Sequence, residues 1–444
     1  REPMKLIGPL ALLSLLLAGG CCWNADSCTE VWGDGGVDAP VEVGPSADGS
    51  GDGQGSDGLG DGGGDAREDA MADAMPECTS SLMCAPTQPI CDNGGMCRAC
   101  GADKECSDRA DGKAVCENGV CVQCKTNAQC GEATPVCGAG NKCRVCWQDA
   151  ECTTGPGLCL ESEGRCAKDS EVQYVESKMS CAATVGTANG GSADKPFCAP
   201  QLAVDVAISR GKPIIILRDN DVLEPVRVAL GANDKIYLVG KGKKEPSTTI
   251  KGGASAPGIQ VNSGIVYVRG VVVKGGFIEG VRATGTTAEL NMNRCIVQDN
   301  RGGGILLQDG AAFEITNTMI TGNGSEDVVW GGINIISGAA QSRKAILRHV
   351  TIAGNADLQG LACDSPIMAS GLLSLKGAAR SILTKCAADN CCSNPPLTNA
   401  YKMQSSVPEC LNKHPVDPAR DLIDVFGQVR IDSGDCGADE LDGN

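Results

Sequence analysis

Residues 290–300 read LNMNRCIVQDN, residues 313–323 FEITNTMITGN and residues 345–355 AILRHVTIAGN, with a less complete copy, VYVRGVVVKGG, at 266–276. Stacked, the phrases give four columns. The first holds Val266, Leu290, Phe313 and Ala345, and the second Val268, Met292, Ile315 and Leu347. The third holds Val271, Cys295, Thr318 and Val350, and the fourth Val273, Val297, Ile320 and Ile352. Columns one and two alternate with period two, so one strand face points inward. The spacing then slips by one residue, which marks a corner, and alternation resumes on a second strand. Three residues after column four stand Gly276, Asn300, Asn323 and Asn355. Asn tolerates the left-handed backbone of a tight turn. Repeated once per coil, such Asn residues form an amide ladder of the kind that stabilises stacked strands. A third apolar segment follows, at 304–307, 332–335 and 371–373. Three strands per turn of roughly 23 residues predict a parallel β-helix. A β-sandwich, the alternative, requires neither matched columns nor a recurrent Asn. The phrases start 24, 23 and 32 residues apart, and the longest step predicts loop insertions at 324–330 and 337–344.

Upstream of this region, sixteen cysteines lie between Cys78 and Cys166 in four groups of four, beginning at Cys78, Cys100, Cys124 and Cys146. A period this short buries too little to fold without covalent or metal staples. Zinc binding, redox Cys-x-x-Cys pairs and disulfides are the chemistries that fit. Cys97/Cys100 with Cys121/Cys124 has zinc-ribbon spacing. Four cysteines per group suit two disulfides each, and that reading uses every cysteine. Spacing leaves the pairing open, since four cysteines allow three connectivities.

The first residues form a targeting segment. After Met4 and Lys5, an apolar run of 12 residues from Leu6 to Leu17 is too short to span a bilayer and matches a secretory signal. Ala18, Gly19 and Gly20 lead to Cys21 and Cys22. From Gly33 to Pro76 the chain is mostly Gly, Asp, Ala and Ser, with 11 acidic residues against one basic. Such a segment cannot offset its ordering entropy and reads as a disordered acidic tether. The expected organisation is a signal and lipid-attachment segment at 1–22, a linker at 23–76, a cysteine-rich module at 77–170 and the β-helix at 171–444. The fold class is all-β: a right-handed parallel β-helix preceded by a disulfide-rich repeat module and the tether.

Composition narrows the function. The chain carries 38 Lys and Arg against 55 Asp and Glu, a net charge of −17, which argues against nucleic acid as a partner. Aromatics make up 3% of the chain and there are two histidines, His349 and His414, so stacking platforms for single strands and His-based metal sites are disfavoured. No cofactor and no metal is expected.

These motifs resemble three known patterns. The small residues ending at Cys21 resemble the lipobox of bacterial lipoproteins, which implies a lipid on Cys21, or on Cys22, and no other membrane attachment. The cysteine array is similar to modules of myxobacterial-type surface lipoproteins. From about Val172 onward the chain resembles the right-handed β-helix, pectate-lyase-like superfamily. The segment 174–206 looks like its helical cap, and Asp432–Glu440 (DSGDCGADE) is similar to the closing signature of secreted, anchor-bearing members. The resemblance implies an exported protein at a bacterial outer membrane or cell surface. Its partner would be a polysaccharide or another surface component, bound without catalysis. The alternative is a secreted polysaccharide lyase or glycoside hydrolase.

Candidate ligand-binding residues are Asp299, Arg301, Asp309, Asp327 and Trp330, acids and an aromatic in expected loops and corners. Asn300, Asn323 and Asn355 are assigned to the ladder. Outward positions after column four (Lys274, Gln298, Thr321 and Ala353) carry no acidic pair. His349 shares the corner position of Arg294 and Asn317 and reads as structural. Cys181 and Cys198 are expected to staple the N-terminal cap. Cys386, Cys391, Cys392, Cys410 and Cys436 are expected to staple the C-terminal one.

Overall fold

The strands of the C-terminal half pair in parallel, each with the strand on the same side of the next coil. The computed structural model describes residues 77–363 with short internal breaks, together with Met368–Ser370, Leu372–Ser374 and Asn390–Ser393. The signal and lipid-attachment segment with Cys21, the linker and the C-terminal cap with Cys386, Cys410 and Cys436 lie outside the described residues. A first face is built from Val172–Val175, Ile214–Arg218, Lys235–Lys241, the end of Ile259–Arg269, Ala288–Asn293 and the starts of Ala312–Thr321 and Ala345–Ala353. A second runs through Thr248–Lys251, Val271–Lys274, Ile296–Gln298 and the ends of Ala312–Thr321 and Ala345–Ala353. A third runs through Val226–Ala229, the start of Ile259–Arg269, Val281–Thr284, Ile305–Gln308, Ile333–Ile336 and Leu361–Cys363. This is a parallel β-helix of three-strand coils.

The observed register is the one the repeated phrases predict. Val266 pairs with Leu290, Leu290 with Phe313 and Phe313 with Ala345. Val273, Val297, Ile320 and Ile352 stack in the same way on the second face. All four columns are buried and form one continuous core.

Each coil turns on two left-handed residues five positions apart. The first corner uses Gly270, Arg294, Asn317 and His349, at φ 66°, 54°, 44° and 50°. The second uses Gly275, Asp299, Gly322 and Gly354, at 72°, 55°, 65° and 56°. The sequence reading gave the second left-handed position to the Asn, but it belongs to the residue before. The amide is thereby turned into the core. Asn323 Nδ2 donates to Asn355 Oδ1 at 3.1 Å and to the Val297 carbonyl at 2.8 Å. Its Oδ1 accepts from the Nδ2 and backbone N–H of Asn300, at 2.9 and 3.1 Å. Asn300 Oδ1 in turn accepts from the Gly276 N–H at 3.0 Å. Buried corner groups thus find partners where no water reaches.

All four cysteine groups join first to third and second to fourth, for example Cys78–Cys91 with Cys84–Cys97 and Cys146–Cys159 with Cys152–Cys166. The zinc spacing is thereby dissolved, because Cys97, Cys100, Cys121 and Cys124 enter four different disulfides. Two polar signatures repeat with the cysteines. Three residues after the first Cys, the side chain of Ser81, Asp103, Asn127 or Asp149 accepts from the N–H of the third Cys at 2.8–3.1 Å. Five residues after it, Glu105, Gln129 and Glu151 cap the N–H groups that open the repeat. Arg98 and Arg144, just past the fourth Cys of their repeats, bind Glu105 and Glu151 of the next. Arg165 grips Glu171 with both Nη atoms, at 2.8 and 2.9 Å, immediately before the first strand of the β-helix. The same joint therefore couples repeat to repeat and the array to the solenoid.

The last repeat also lies on the outer side of the first face, where a free stalk would stand clear of it. Leu158, Leu160 and Ala167 form a second core with Val172, Ile214, Ile216, Tyr237 and Val239. This explains the unbroken apolar run at 214–217: Ile215 and Leu217 face the solenoid core, while Ile214 and Ile216 lie under the array. At the N-terminal cap, the Pro200–Ala207 helix buries Ala203, Val204 and Ala207 beside the disulfide Cys181–Cys198. Tyr174, expected in this cap, already belongs to the first strand.

Candidate functional site

A groove of about 330 Å³ opens where the last cysteine hairpin meets the outward side of the first face. Its floor comes from alternate positions of the repeated phrases. Tyr267 and Asn291 lie between the inward columns one and two, as does Glu314, while Arg269, Asn293 and Thr316 follow column two. Its wall is the hairpin 159–162, and Lys344 borders it one coil further on.

Electrostatics organise the groove. Arg269 is buried and spans both modules. Its Nη2 donates to both carboxylate oxygens of Asp149 at 2.8 Å. Its Nη1 donates to the Cys159 carbonyl at 2.9 Å and to Glu161 at 3.0 Å. Glu161 also accepts from Asn293 Nδ2 at 2.7 Å and from Arg294. Further along, Lys344 pairs with Glu314, donates to Asn291 Oδ1 at 2.8 Å and lies 3.8 Å from Glu289. Tyr237 and Tyr267 stack with ring centroids 4.7 Å apart. The Tyr237 hydroxyl donates to Glu163 at 2.9 Å, and burial holds its phenol above the usual range. Burial also pushes the Glu163 carboxyl up, but Lys235, Tyr237 and Arg165 more than reverse this and leave it below its ordinary value.

Each carboxylate lining the groove is therefore already held by a cation. Glycoside hydrolysis needs two carboxyl groups set across a bond with room for water or a sugar carbon between them. What the groove presents is an aromatic ring edge beside amide, carboxylate and ammonium groups, which suits holding a hydroxyl-rich ligand. Among the described residues, the side chains close enough together to hold a metal are cysteines, and all of them are bonded in disulfides.

The residues singled out from sequence lie elsewhere. Asp299 is exposed at the second corner, and its left-handed backbone explains why Gly occupies the same place in neighbouring coils. Arg301 and Trp330 lie on that same corner stack, and exposed Asp327 is in the turn leading to Trp330. Asp309, at φ 57°, belongs to the opposite end of the third-face strand and accepts from Thr284 Oγ1 at 2.8 Å. The groove residues were readable in the phrases themselves, at the outward positions flanking column two. The outward positions after column four lie on the second face instead. The cysteine-array wall had no signal in local spacing.

Compared with protein-family models, curated proteins and solved structures, the chain finds no match.

Proposed function

We propose that this is an exported envelope protein, lipid-anchored through Cys21, whose β-helix binds a polysaccharide strand in the groove without cleaving it. The finer kinship to pectate-lyase-like surface lipoproteins belongs to the same proposal. The observation that carries the reading is the commitment of the groove carboxylates, Glu161 to Arg269 and Arg294 and Glu314 to Lys344. Committed carboxylates orient a ligand but are poor proton carriers. The nine disulfides whose two cysteines both lie among the described residues support an oxidising compartment.

The test is a panel of polysaccharides incubated with the full-length protein, with and without calcium, scored for binding by affinity electrophoresis and for cleavage by new reducing ends and unsaturated sugars. Retardation on at least one polysaccharide without product is expected, and Lys344→Ala should weaken it. Products would replace this reading with a lyase or hydrolase, and no retardation on any member would reject it. Mass spectrometry of the mature N-terminus tests the anchor separately; an unmodified Cys21 and Cys22 would remove it.

A further inference from the structure

Among the described residues, Lys344 is the one lysine whose Nζ donates to a side-chain amide, the Oδ1 of Asn291, at 2.8 Å. Two carboxylates complete the cluster. Glu314 pairs with Lys344. Glu289 accepts from Asn291 Nδ2 at 3.2 Å and stands 3.8 Å from Lys344 Nζ. Three successive coils supply these four residues. Glu289 and Asn291 share one side of the Ala288–Asn293 strand, Glu314 is the register partner of Asn291 on the next coil, and Lys344 leads into Ala345–Ala353 on the coil after that. The residue that separates Glu289 from the lysine is the small Ala312, over which a lysine stem can cross.

Asn291 is 7% exposed and its amide is held at both ends, by Lys344 at the oxygen and by Glu289 at the nitrogen. With a carbonyl bond of about 1.23 Å, the amide carbon lies within about 4 Å of Nζ. An ordinary ion pair needs the lysine and one carboxylate. Here an amine faces a fixed amide carbonyl, with one carboxylate beside the amine and a second beside the amide nitrogen.

We propose that Lys344 and Asn291 join in an intramolecular isopeptide bond, a covalent strap across three coils. A lysine amine is a nucleophile once a neighbouring base has taken its proton, and holding it against the carbonyl makes the attack intramolecular. Glu314 takes one proton from the ammonium. The amine attacks Asn291 Cγ and the new C–N bond forms. Glu289 takes a second proton from the attacking nitrogen and delivers it to Nδ2 as the Cγ–Nδ2 bond breaks. Ammonia leaves with the proton that Glu314 held. Both carboxylates are thereby regenerated, and no oxidant or other reactant is consumed. The reaction happens once per molecule, so a small steady fraction of neutral amine suffices. The bond closes the stretch from 291 to 344, which contains the longest step between the repeated phrases. It is independent of the polysaccharide reading, and Lys344 then offers Glu314 an amide N–H in place of the ammonium.

The test is peptide mapping of the reduced full-length protein, freshly purified and after prolonged incubation at neutral pH. Trypsin should release residues 283–294 joined to 344–348 through Asn291 and Lys344, lighter by one ammonia than the two peptides together. Fragmentation of the joined pair separates this bond from succinimide formation at an asparagine, which loses the same mass. Lys344→Arg keeps a cation in place and should abolish joining. Glu314→Gln should slow it roughly a hundredfold, as loss of a general base does. Both variants should keep the wild-type circular dichroism. Recovery of 283–294 unjoined from aged wild type, with cleavage after Lys344, would overturn the bond, and joining of Glu314→Gln at the wild-type rate would overturn the part given to Glu314. Neither readout involves a glycan, so failure here is distinct from failure of the groove to bind one.

Discussion

Asn323→Ala tests the solenoid at a fully buried polar point. The residue has no exposed surface. Its amide accepts from the backbone and side-chain N–H groups of Asn300 and donates to Asn355 and to the Val297 carbonyl. Alanine leaves the Asn300 backbone N–H without its acceptor and takes one donor from Val297, in a place water does not reach. At ~1–3 kcal/mol for each buried group left short of a partner, plus a small cavity, the loss should be about 3 kcal/mol. For a domain of this size that corresponds to a melting point lower by roughly 6–12 °C. Urea unfolding of the full-length protein, followed by circular dichroism, is the assay, and Asn334→Ala on the third face is the control. The control should stay within about 0.5 kcal/mol of wild type. If Asn323→Ala shifts the midpoint no more than the control, the ladder is not a stabilising element and the corner account is wrong.

Three further outcomes follow from the junctions and the core. Arg269→Met severs Asp149 from the first face and leaves Glu161 held there by Asn293 and Arg294 alone, at a cost of about 3 kcal/mol; hydrogen exchange should show amides of the 159–166 hairpin losing protection while those of columns one and two keep it, and equal loss in both would refute the Arg269 bridge. Burial raises the carboxyls of Glu151, Glu163 and Glu171, yet hydrogen bonds from Arg144, from Lys235 and Tyr237, and from Arg165 bring all three below their ordinary values. Their folded values lie below the unfolded one of about 4.3, so their contribution is complete above that pH and fades as acid titrates through the folded values; Glu171→Gln should flatten the acid limb of a stability–pH curve, and an unchanged limb would contradict the joint. Burial pushes the Cys295 thiol up to about 12, so peptide mapping after alkylation at pH 8 should find Cys295 unmodified in native protein and labelled after unfolding, whereas labelling of the native state would place it outside the core.

The repeated phrases by themselves determined the coil, its register and its core, because a strand shows its inward face as a period-two pattern and a solenoid repeats that pattern at fixed intervals. Val268, Met292, Ile315 and Leu347 could be aligned from sequence, since each is a local consequence of the same winding. The even cysteine count favoured disulfides for a similarly local reason. Tertiary structure decided what depends on distant pieces of chain meeting. The disulfide pairing required the fold of each repeat. The left-handed duty of Asp299 emerged only from the backbone, since its neighbours Gly322 and Gly354 could be read equally well as flexible spacers. The groove required Asp149 and Glu161 to reach Arg269 more than a hundred residues later, and no periodicity encodes a contact made once.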